Sequence, residues 1–305
     1  MPRPLRVQSP LLATADARHH GAETAAAHQH ALGNLFERIA NRARLPHAAE
    51  RLLKMANDGL SSARHLQDLI LADPALATNI LRCVNSSYFG LSRKVSDLPT
   101  AVSLLGPREI RNVALTVFVS RMCDRPARYG TYNRESLWKH CCAVANVARK
   151  IARVTSAAAP DEAYVAGLLH HLGTITIDQQ LRSHFCQVID QVDEFTPTHE
   201  IEREVLSFDQ AQLGAYIVAG WHFPAQICKA IRYHAYPEGY PGTDRALVNT
   251  VAVANYLRNR VGLTSLGVRN TPPPAASAYA EAGLTRFTLS IIWEEFRSTL
   301  SDVAR

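Results

Sequence analysis

The sequence contains little of what builds a β-sheet, a membrane span or a disulfide framework. Aromatic residues make up only 7% of the 305 residues, and no six-residue stretch alternates polar with apolar side chains, so we expect essentially no strands. No uninterrupted run of 18 apolar residues occurs, and no charged-then-apolar segment opens the chain, so we expect neither a membrane span nor a secretory signal. The six cysteines include no C-x-x-C pair, and five lie in apolar helical patterns. This usage indicates reduced thiols in a cytoplasmic protein.

Lysine is also scarce. Only five of the 33 basic residues are lysines, and the formal net charge is +6. An excess of arginine is one signature of nucleic-acid-binding proteins. Here, however, the arginines are spread along the whole chain and interleaved with acids, without a run of five or more. Nucleic acid is therefore an unlikely partner, and a nucleic-acid-binding regulator is the least favoured of three function classes.

Helical patterning is what the sequence does contain. Hydrophobic residues make up 47% of the chain, which is enough to bury a substantial core. Apolar residues recur at helical spacing between clear stops, which predicts an all-α protein. Asp73 is predicted to cap one helix, with Pro74 at its first position, and Asp161 to cap another. One further helix is predicted over 175–192.

The ends and the middle of the chain suggest its organisation. Residues 1–30 have no sustained periodicity and are predicted to be a mobile tail that is dispensable for folding, with its histidines (His19, His20, His28 and His30) forming no metal site. Residues 123–134 break the helical pattern, and a Pro-rich linker at 271–274 precedes a last helix at about 285–302. The predicted parts are the tail (1–30), an N-terminal helical subdomain (31–125), a second helical subdomain (134–262), and the linker with the C-terminal helix (263–305).

Four histidines of the second half lie at or near apolar helix faces: His140, His170, His171 and His234. His140 follows Leu137 by three residues and precedes Val144 by four, so it points into the core. A single histidine in such a place is usually a hydrogen-bonded core residue. The adjacent pair His170-His171 at a helix end, just before a glycine, is less ordinary. Together the histidines suggest the remains of a metal centre built on facing helices.

Two sets of motifs resemble known families. In the second half, Trp138-x-His140 followed by Gly167-Leu-Leu-His170-His171-Leu-Gly173 resembles the HD phosphohydrolase superfamily. The first half is similar to the HDOD domain, an HD-related output domain of bacterial signalling proteins. That similarity rests on Leu45-Pro46, Asp73-Pro74-Ala-Leu76, Asn85-Ser86-Ser-Tyr88-Phe89-Gly90 and Ala101-Val-x-Leu-Leu105-Gly106. It continues through Phe208-Asp-Gln210, Trp221-x-x-Pro224 and Ile231-x-x-His234, and covers roughly residues 32–262.

The resemblance implies two packed helical subdomains, the second an HD-like bundle. It also shows which metal-site residues of HD proteins are replaced in this chain. His171 stands where the HD pair has its aspartate, Asn255 matches the late metal-binding aspartate, and Gln210 stands where relatives often carry a histidine. An active HD centre needs a carboxylate that bridges or anchors divalent metals beside the imidazoles. We therefore expect no catalytic residue, no cofactor and no metal at the degenerate positions, which are His140, His170, His171, His234 and Asn255.

The favoured function is a non-catalytic regulator that acts through protein or ligand contacts in a bacterial stress, motility or second-messenger pathway, as the HDOD resemblance implies. Its partners would be other signalling proteins, with no membrane contact, and homo-oligomer formation is left open. The alternative is a metal-dependent phosphohydrolase or phosphodiesterase with a degenerate HD site. Asn85, Ser86 and Tyr88 are candidate partner-binding residues, although the same stretch is also typical of a helix C-terminal cap and turn.

Overall fold

The architecture is that of a computed structural model, which describes residues 30–43, 51, 63–85 and 93–293. By compactness the chain divides after Arg42 into two units. Within the first, the described part is a helix, α1, over residues 30–42. The second unit, Ala43–Arg305, holds everything described below. Among the described residues no helix is long and apolar enough to cross a bilayer, and no disulfide joins any of the six cysteines, all of which are described.

The second unit is built almost entirely of helices. Its first helices are α2 (Ala63–Leu71), α3 (Pro74–Val84) and α4 (Leu98–Cys123). A two-stranded antiparallel ribbon follows, made of β1 (Arg128–Tyr129) and β2 (Tyr132–Asn133). The remaining helices are α5 (Arg134–Thr155), α6 (Pro160–Leu169), α7 (Leu172–Gln180), α8 (Arg182–Gln191), α9 (Thr198–Leu206), α10 (Gln210–Gly220), α11 (Ala225–Tyr233), α12 (Ala246–Arg260) and α13 (Ala276–Glu281). Residues 286–293 are also helical. The predicted all-α class is confirmed.

Local sequence signals account for many helix ends, but two sequence-based predictions of helix bounds are wrong. Asp73 caps α3 by accepting a hydrogen bond from the Leu76 N–H at 2.9 Å, with Pro74 at the first position, as predicted. The prediction for Asp161 is wrong. The chain enters α6 through Ala159 and Pro160, and Asp161 lies inside the first turn, where a negative charge is also favourable.

The single helix predicted over 175–192 is in fact two, α7 and α8. The chain leaves helical geometry at Leu181, whose φ is −125° and ψ is 42°. No glycine or proline marks this break. It separates α7, which is buried from Leu172 to Asp178, from the half-exposed helix α8. With no local breaker at this point, we attribute the bend to tertiary packing, since it coincides with the change from a fully buried to a half-exposed helix.

Two glycines let the helices around the histidines approach closely. A Cβ on Gly167 of α6 would lie 2.8 Å from the Ala145 Cα, so α6 and α5 touch backbone to backbone there. A Cβ on Gly173 of α7 would lie 1.9 Å from the carbonyl oxygen of Gln210, the first residue of α10. Only glycine permits either approach. These contacts draw α5, the turn between α6 and α7, and α10 around one point.

A buried ion-pair network anchors the ribbon to this bundle. Asp178 of α7 accepts hydrogen bonds from the Tyr132 hydroxyl at 2.8 Å and from the Arg134 Nε at 2.7 Å, and Arg182 pairs with its other oxygen. The predicted internal break at residues 123–134 corresponds to the end of α4, the ribbon and the start of α5.

Helix α4 packs on both α5 and α6. Arg149 of α5 pairs there with Glu109 of α4.

Candidate functional site

Four histidines from three parts of the second unit meet in its interior. His140 comes from α5, His170 and His171 form the turn between α6 and α7, and His234 follows the last residue of α11. The ring centroid of His170 lies 5.3 Å from that of His140, 4.2 Å from that of His171 and 4.9 Å from that of His234. All four side chains are buried. The structure thus brings together the four histidines that the sequence singled out.

Backbone carbonyl groups fix the orientation of three of these rings. The Nδ1 atom of His140 lies 2.5 Å from the Leu263 carbonyl oxygen, that of His170 lies 2.7 Å from the Gly167 oxygen, and that of His234 lies 2.8 Å from the Ile231 oxygen. The His171 Nδ1 is 3.1 Å from the Thr174 hydroxyl. The Nε2 atoms of His140, His170 and His234 face other side chains. Those of His140 and His170 lie 3.3 Å apart. The amide nitrogen of Gln210 lies 3.3 Å from the His234 Nε2.

Burial keeps these imidazoles neutral. Loss of hydration lowers the pKa of His140 and of His234 to about 4, against smaller opposing effects of their hydrogen bonds. Burial likewise lowers the pKa of His170 and His171 well below the ordinary value, and the neighbouring imidazoles add to the effect. A cluster of closely packed imidazoles in a dry interior cannot carry several positive charges. Near pH 7 all four rings are therefore uncharged ligands or hydrogen-bonding groups.

Two amide side chains complete the site. Asn255 of α12 and Gln210 of α10 are 5% and 4% exposed, and the side-chain oxygen of each has no hydrogen-bond partner. Gln210 stands beside His171 and Asn255 beside His140, near enough to affect their pKa values, but the oxygens form no hydrogen bond of normal geometry. Buried acceptors without a donor are rare in folded proteins.

Glu202, on α9, is the residue of this site that the sequence did not reveal. Its side chain is buried, and its Oε2 accepts the Gln210 backbone N–H at 2.9 Å. Burial raises the pKa of this carboxyl to about 8, although the hydrogen bond from Gln210 opposes the shift. Glu202 is therefore protonated near pH 7. No sequence signal distinguishes it from an ordinary solvated acid on an amphipathic helix.

A small cavity of about 40 Å³ opens beside the cluster, lined by His171, His234, Glu202, Gln210 and Asn255 among others. It is far smaller than the 300–1,000 Å³ typical of sites for organic ligands. The segment that includes the predicted Pro-rich linker forms part of its wall through Ser265, Asn270, Thr271 and Pro272.

We call residues 262–272 the covering segment. Its Leu263 carbonyl is the partner of His140, and its Asn270 side chain donates to the Thr198 hydroxyl at 2.8 Å. The Leu266 carbonyl accepts the Thr131 hydroxyl at 2.7 Å. The covering segment is therefore hydrogen-bonded to α5, α9 and the ribbon.

The binuclear metal centre of active HD enzymes does not fit these residues. Among the residues that the structure describes, the ring nitrogens that lie within 4.8 Å of one another belong to His140, His170 and His171, and no carboxylate oxygen belongs to that group. A neutral imidazole nitrogen binds one metal ion only, whereas a carboxylate can bridge two. The two positions where the resemblance implies an aspartate are a histidine and a neutral amide.

Of the candidate partner-binding residues, only Asn85 can be placed, because Ser86 and Tyr88 lie outside the described residues. Asn85 caps the C-terminus of α3. Its amide nitrogen donates to the Leu81 and Val95 carbonyl oxygens at 2.9 and 2.8 Å, and its oxygen accepts the Val95 N–H at 2.7 Å. These bonds favour a structural role for Asn85, which ties α3 to the segment before α4.

Comparison with known proteins supports this fold. A curated relative, an uncharacterized protein of Treponema pallidum (strain Nichols), is 28% identical over 189 residues, which are 61% of this chain and 36% of the relative. The chain thus spans about a third of that relative. The crystal structure of an HDOD domain protein with unknown function from Geobacter sulfurreducens superposes with a TM-score of 0.71 at 25% identity, covering 87% of this chain and 94% of that one.

A second crystal structure, of a protein from Marinobacter aquaeolei VT8 provisionally described as a signal transduction protein, also reaches a TM-score of 0.71. It is 24% identical and covers 85% of this chain and 56% of that one. At this identity the superposition supports the fold alone. The sequence profile of the HDOD domain matches residues 43–237, which includes both helical regions and the histidines of the site. The chain belongs to the HDOD domain family.

Proposed function

We propose that this protein is a non-catalytic signal-transduction module, which acts in the cytoplasm by binding signalling proteins or a ligand. The observation that carries the proposal is the composition of the histidine cluster, which contains imidazoles and amides but no ionised carboxylate. Metal-assisted hydrolysis of a phosphodiester needs metal ions that hold the attacking water and the phosphoryl oxygens in one open site. Neutral ligands in a 40 Å³ cavity offer neither the charge nor the room.

Several arginines form ion pairs within the fold rather than a free basic surface: Arg134 and Arg182 with Asp178, Arg149 with Glu109, and Arg203 with Asp209. A guanidinium paired with a carboxylate is less available for phosphate contacts. These pairs, with the dispersed arginines of the sequence, support a regulator that does not bind nucleic acid. As in the sequence-based hypothesis, the pathways in which such a module would act are bacterial stress responses, motility or second-messenger signalling.

Turnover and metal content together test the proposal. The full chain is incubated with bis(p-nitrophenyl) phosphate, mononucleotides and cyclic dinucleotides in the presence of Mg²⁺, Mn²⁺, Fe²⁺ or Zn²⁺ in turn. We expect no hydrolysis above that of the metal alone. Hydrolysis with about two metal ions bound per chain, abolished by His170→Ala, would establish the alternative, a metal-dependent phosphohydrolase.

A double variant that restores both carboxylates tests why the wild-type chain is expected to show no hydrolysis. In His171→Asp with Asn255→Asp, hard oxygen ligands stand beside His140 and His170, so Mn²⁺ binding should rise because carboxylates suit this ion and imidazoles alone do not. Isothermal titration with Mn²⁺ measures the difference. Equal Mn²⁺ affinity of the wild-type chain and the double variant would show that carboxylates do not decide metal binding here, contrary to the basis of the proposal.

A further inference from the structure

The hydrogen bonds at Nδ1 determine which ring nitrogens carry a hydrogen atom. The partners of Nδ1 in His140, His170 and His234 are carbonyl oxygens, and a carbonyl oxygen only accepts. Each Nδ1 must therefore be the protonated nitrogen, and in a neutral imidazole the Nε2 atom then presents a lone pair. Histidines that bind metal ions are oriented in this way, with the non-ligating N–H donated to a carbonyl or a carboxylate.

Two of these lone pairs face each other. The Nε2 atoms of His140 and His170 lie 3.3 Å apart, and with both Nδ1 atoms protonated neither neutral ring has a hydrogen to place between them. A shared proton would require one of these two rings to be cationic, and both side chains are completely buried, where an unpaired charge is costly. The lone pair of His234, by contrast, meets the Gln210 amide at 3.3 Å, which can donate to it.

The spacing of the nitrogens suits a metal ion. Metal–nitrogen distances near 2.0–2.1 Å in a tetrahedral site place two ligand nitrogens about 3.4 Å apart, close to the separation of the His140 and His170 Nε2 atoms. The other separations in the group that includes His171 are at most 4.8 Å, so two of these nitrogens must approach each other by at most about 1.4 Å to reach ligand spacing.

Unpartnered acceptors point to the same place. The side-chain oxygens of Asn255 and Gln210 are buried and form no hydrogen bond of normal geometry, although Asn255 stands beside His140 and Gln210 beside His171. Both residues line the cavity together with His171. The orientation of Gln210 is set by His234, since turning the amide over would direct its oxygen at a nitrogen lone pair. An ion, or water bound to an ion, would give these oxygens a partner.

We propose that His140, His170 and His171 bind one divalent transition-metal ion through their ring nitrogens, with the Asn255 oxygen or a water molecule as a further ligand. Neutral imidazoles select Zn²⁺, Co²⁺ or Ni²⁺ over Mg²⁺ and Mn²⁺. This replaces the sequence-based expectation of no metal, and it differs from an HD enzyme centre in holding one ion without a carboxylate. The ion would join α5 to the turn between α6 and α7, and its binding would depend on the Leu263 carbonyl that orients His140.

Cobalt titration tests the site. The full chain, purified without an affinity tag and freed of metal by a chelator, is titrated with Co²⁺ while the visible d–d absorption is recorded. We expect saturation at one Co²⁺ per chain, loss of the signal when Zn²⁺ is added, and no effect of excess Mg²⁺. His170→Gln should abolish the absorption, and His184→Ala, at an exposed histidine, should leave it unchanged. A full-length variant with glutamine at all four tail histidines (His19, His20, His28 and His30) should also bind normally.

X-ray absorption spectroscopy of the Zn²⁺ form keeps the proposal testable if His170→Gln fails to fold, which circular dichroism will show. Three imidazole nitrogens per zinc support the site. One imidazole or none, or a folded wild-type chain that binds no Co²⁺, overturns it, as does a folded His170→Gln variant that keeps the absorption. None of these results bears on the proposed non-catalytic function, which is tested separately by phosphate-ester turnover and by the Mn²⁺ affinity of the double variant.

Discussion

Replacing Glu202 by glutamine should stabilise the protein, and increasingly so as the pH rises. The carboxyl is buried, and its pKa is raised from near 4.5 to about 8. The folded chain therefore retains a proton that the unfolded chain releases. The stability associated with this group is fully present below pH 4.5 and is lost as the pH rises through 8. Glutamine has nearly the same shape, keeps an oxygen for the Gln210 N–H and does not titrate.

The magnitude follows from the shift. With about 1.4 kcal/mol per pKa unit, the ionisable carboxyl lowers the free energy of unfolding by about 1 kcal/mol at pH 5, about 3 kcal/mol at pH 7 and up to about 5 kcal/mol above pH 8. The advantage of Glu202→Gln over the wild type should grow in that order. Because the buried histidines titrate in both proteins, their own loss of stability in acid cancels in the difference.

Urea denaturation of both proteins at pH 5, 7 and 8.5 measures this difference directly. Glu204→Gln is the matched control, because Glu204 lies on the same helix, α9, but is exposed. Its effect should be small at every pH, since an exposed carboxylate keeps nearly the same environment on unfolding. A difference between Glu202→Gln and the wild type that does not change with pH would refute the conclusion that Glu202 is protonated in the folded state.

Three further changes test the packing at the site and the cap of α3, each by urea denaturation or thermal melting. His140→Gln should lower the free energy of unfolding by about 1–2 kcal/mol, and His140→Asp by several, because an unpaired charge would be buried; equal losses would contradict this. Gly173→Ala should prevent folding or cost several kcal/mol, since its Cβ would lie 1.9 Å from the Gln210 oxygen, whereas Gly220→Ala, with nothing within 4 Å, should be neutral or slightly stabilising. Asn85→Ala removes three hydrogen bonds and should cost about 2–3 kcal/mol; an unchanged melting temperature would show that they contribute nothing.

Helix content, many helix ends and the family could be predicted from the sequence alone. The helical spacing of apolar residues and the pair Asp73-Pro74 are local signals, because they depend on contacts within one or two turns. The position of His140 on the buried face of α5 followed from its spacing to Leu137 and Val144 for the same reason. The motifs around His170 indicated which residues would gather at the site, and the absence of an aspartate at position 171 was visible without any coordinates.

The tertiary structure decided what those residues can do. The break at Leu181 and the burial of Glu202 depend on neighbours that are distant in sequence, so no local pattern announces them. The hydrogen bond from His140 to the Leu263 carbonyl spans 123 residues, and it determines which nitrogen of His140 is left as a ligand. Whether an imidazole is a core residue, a base or a metal ligand depends on the dielectric environment and on the partner of its other nitrogen. Both are set by the packing of α5, the turn between α6 and α7, and the covering segment.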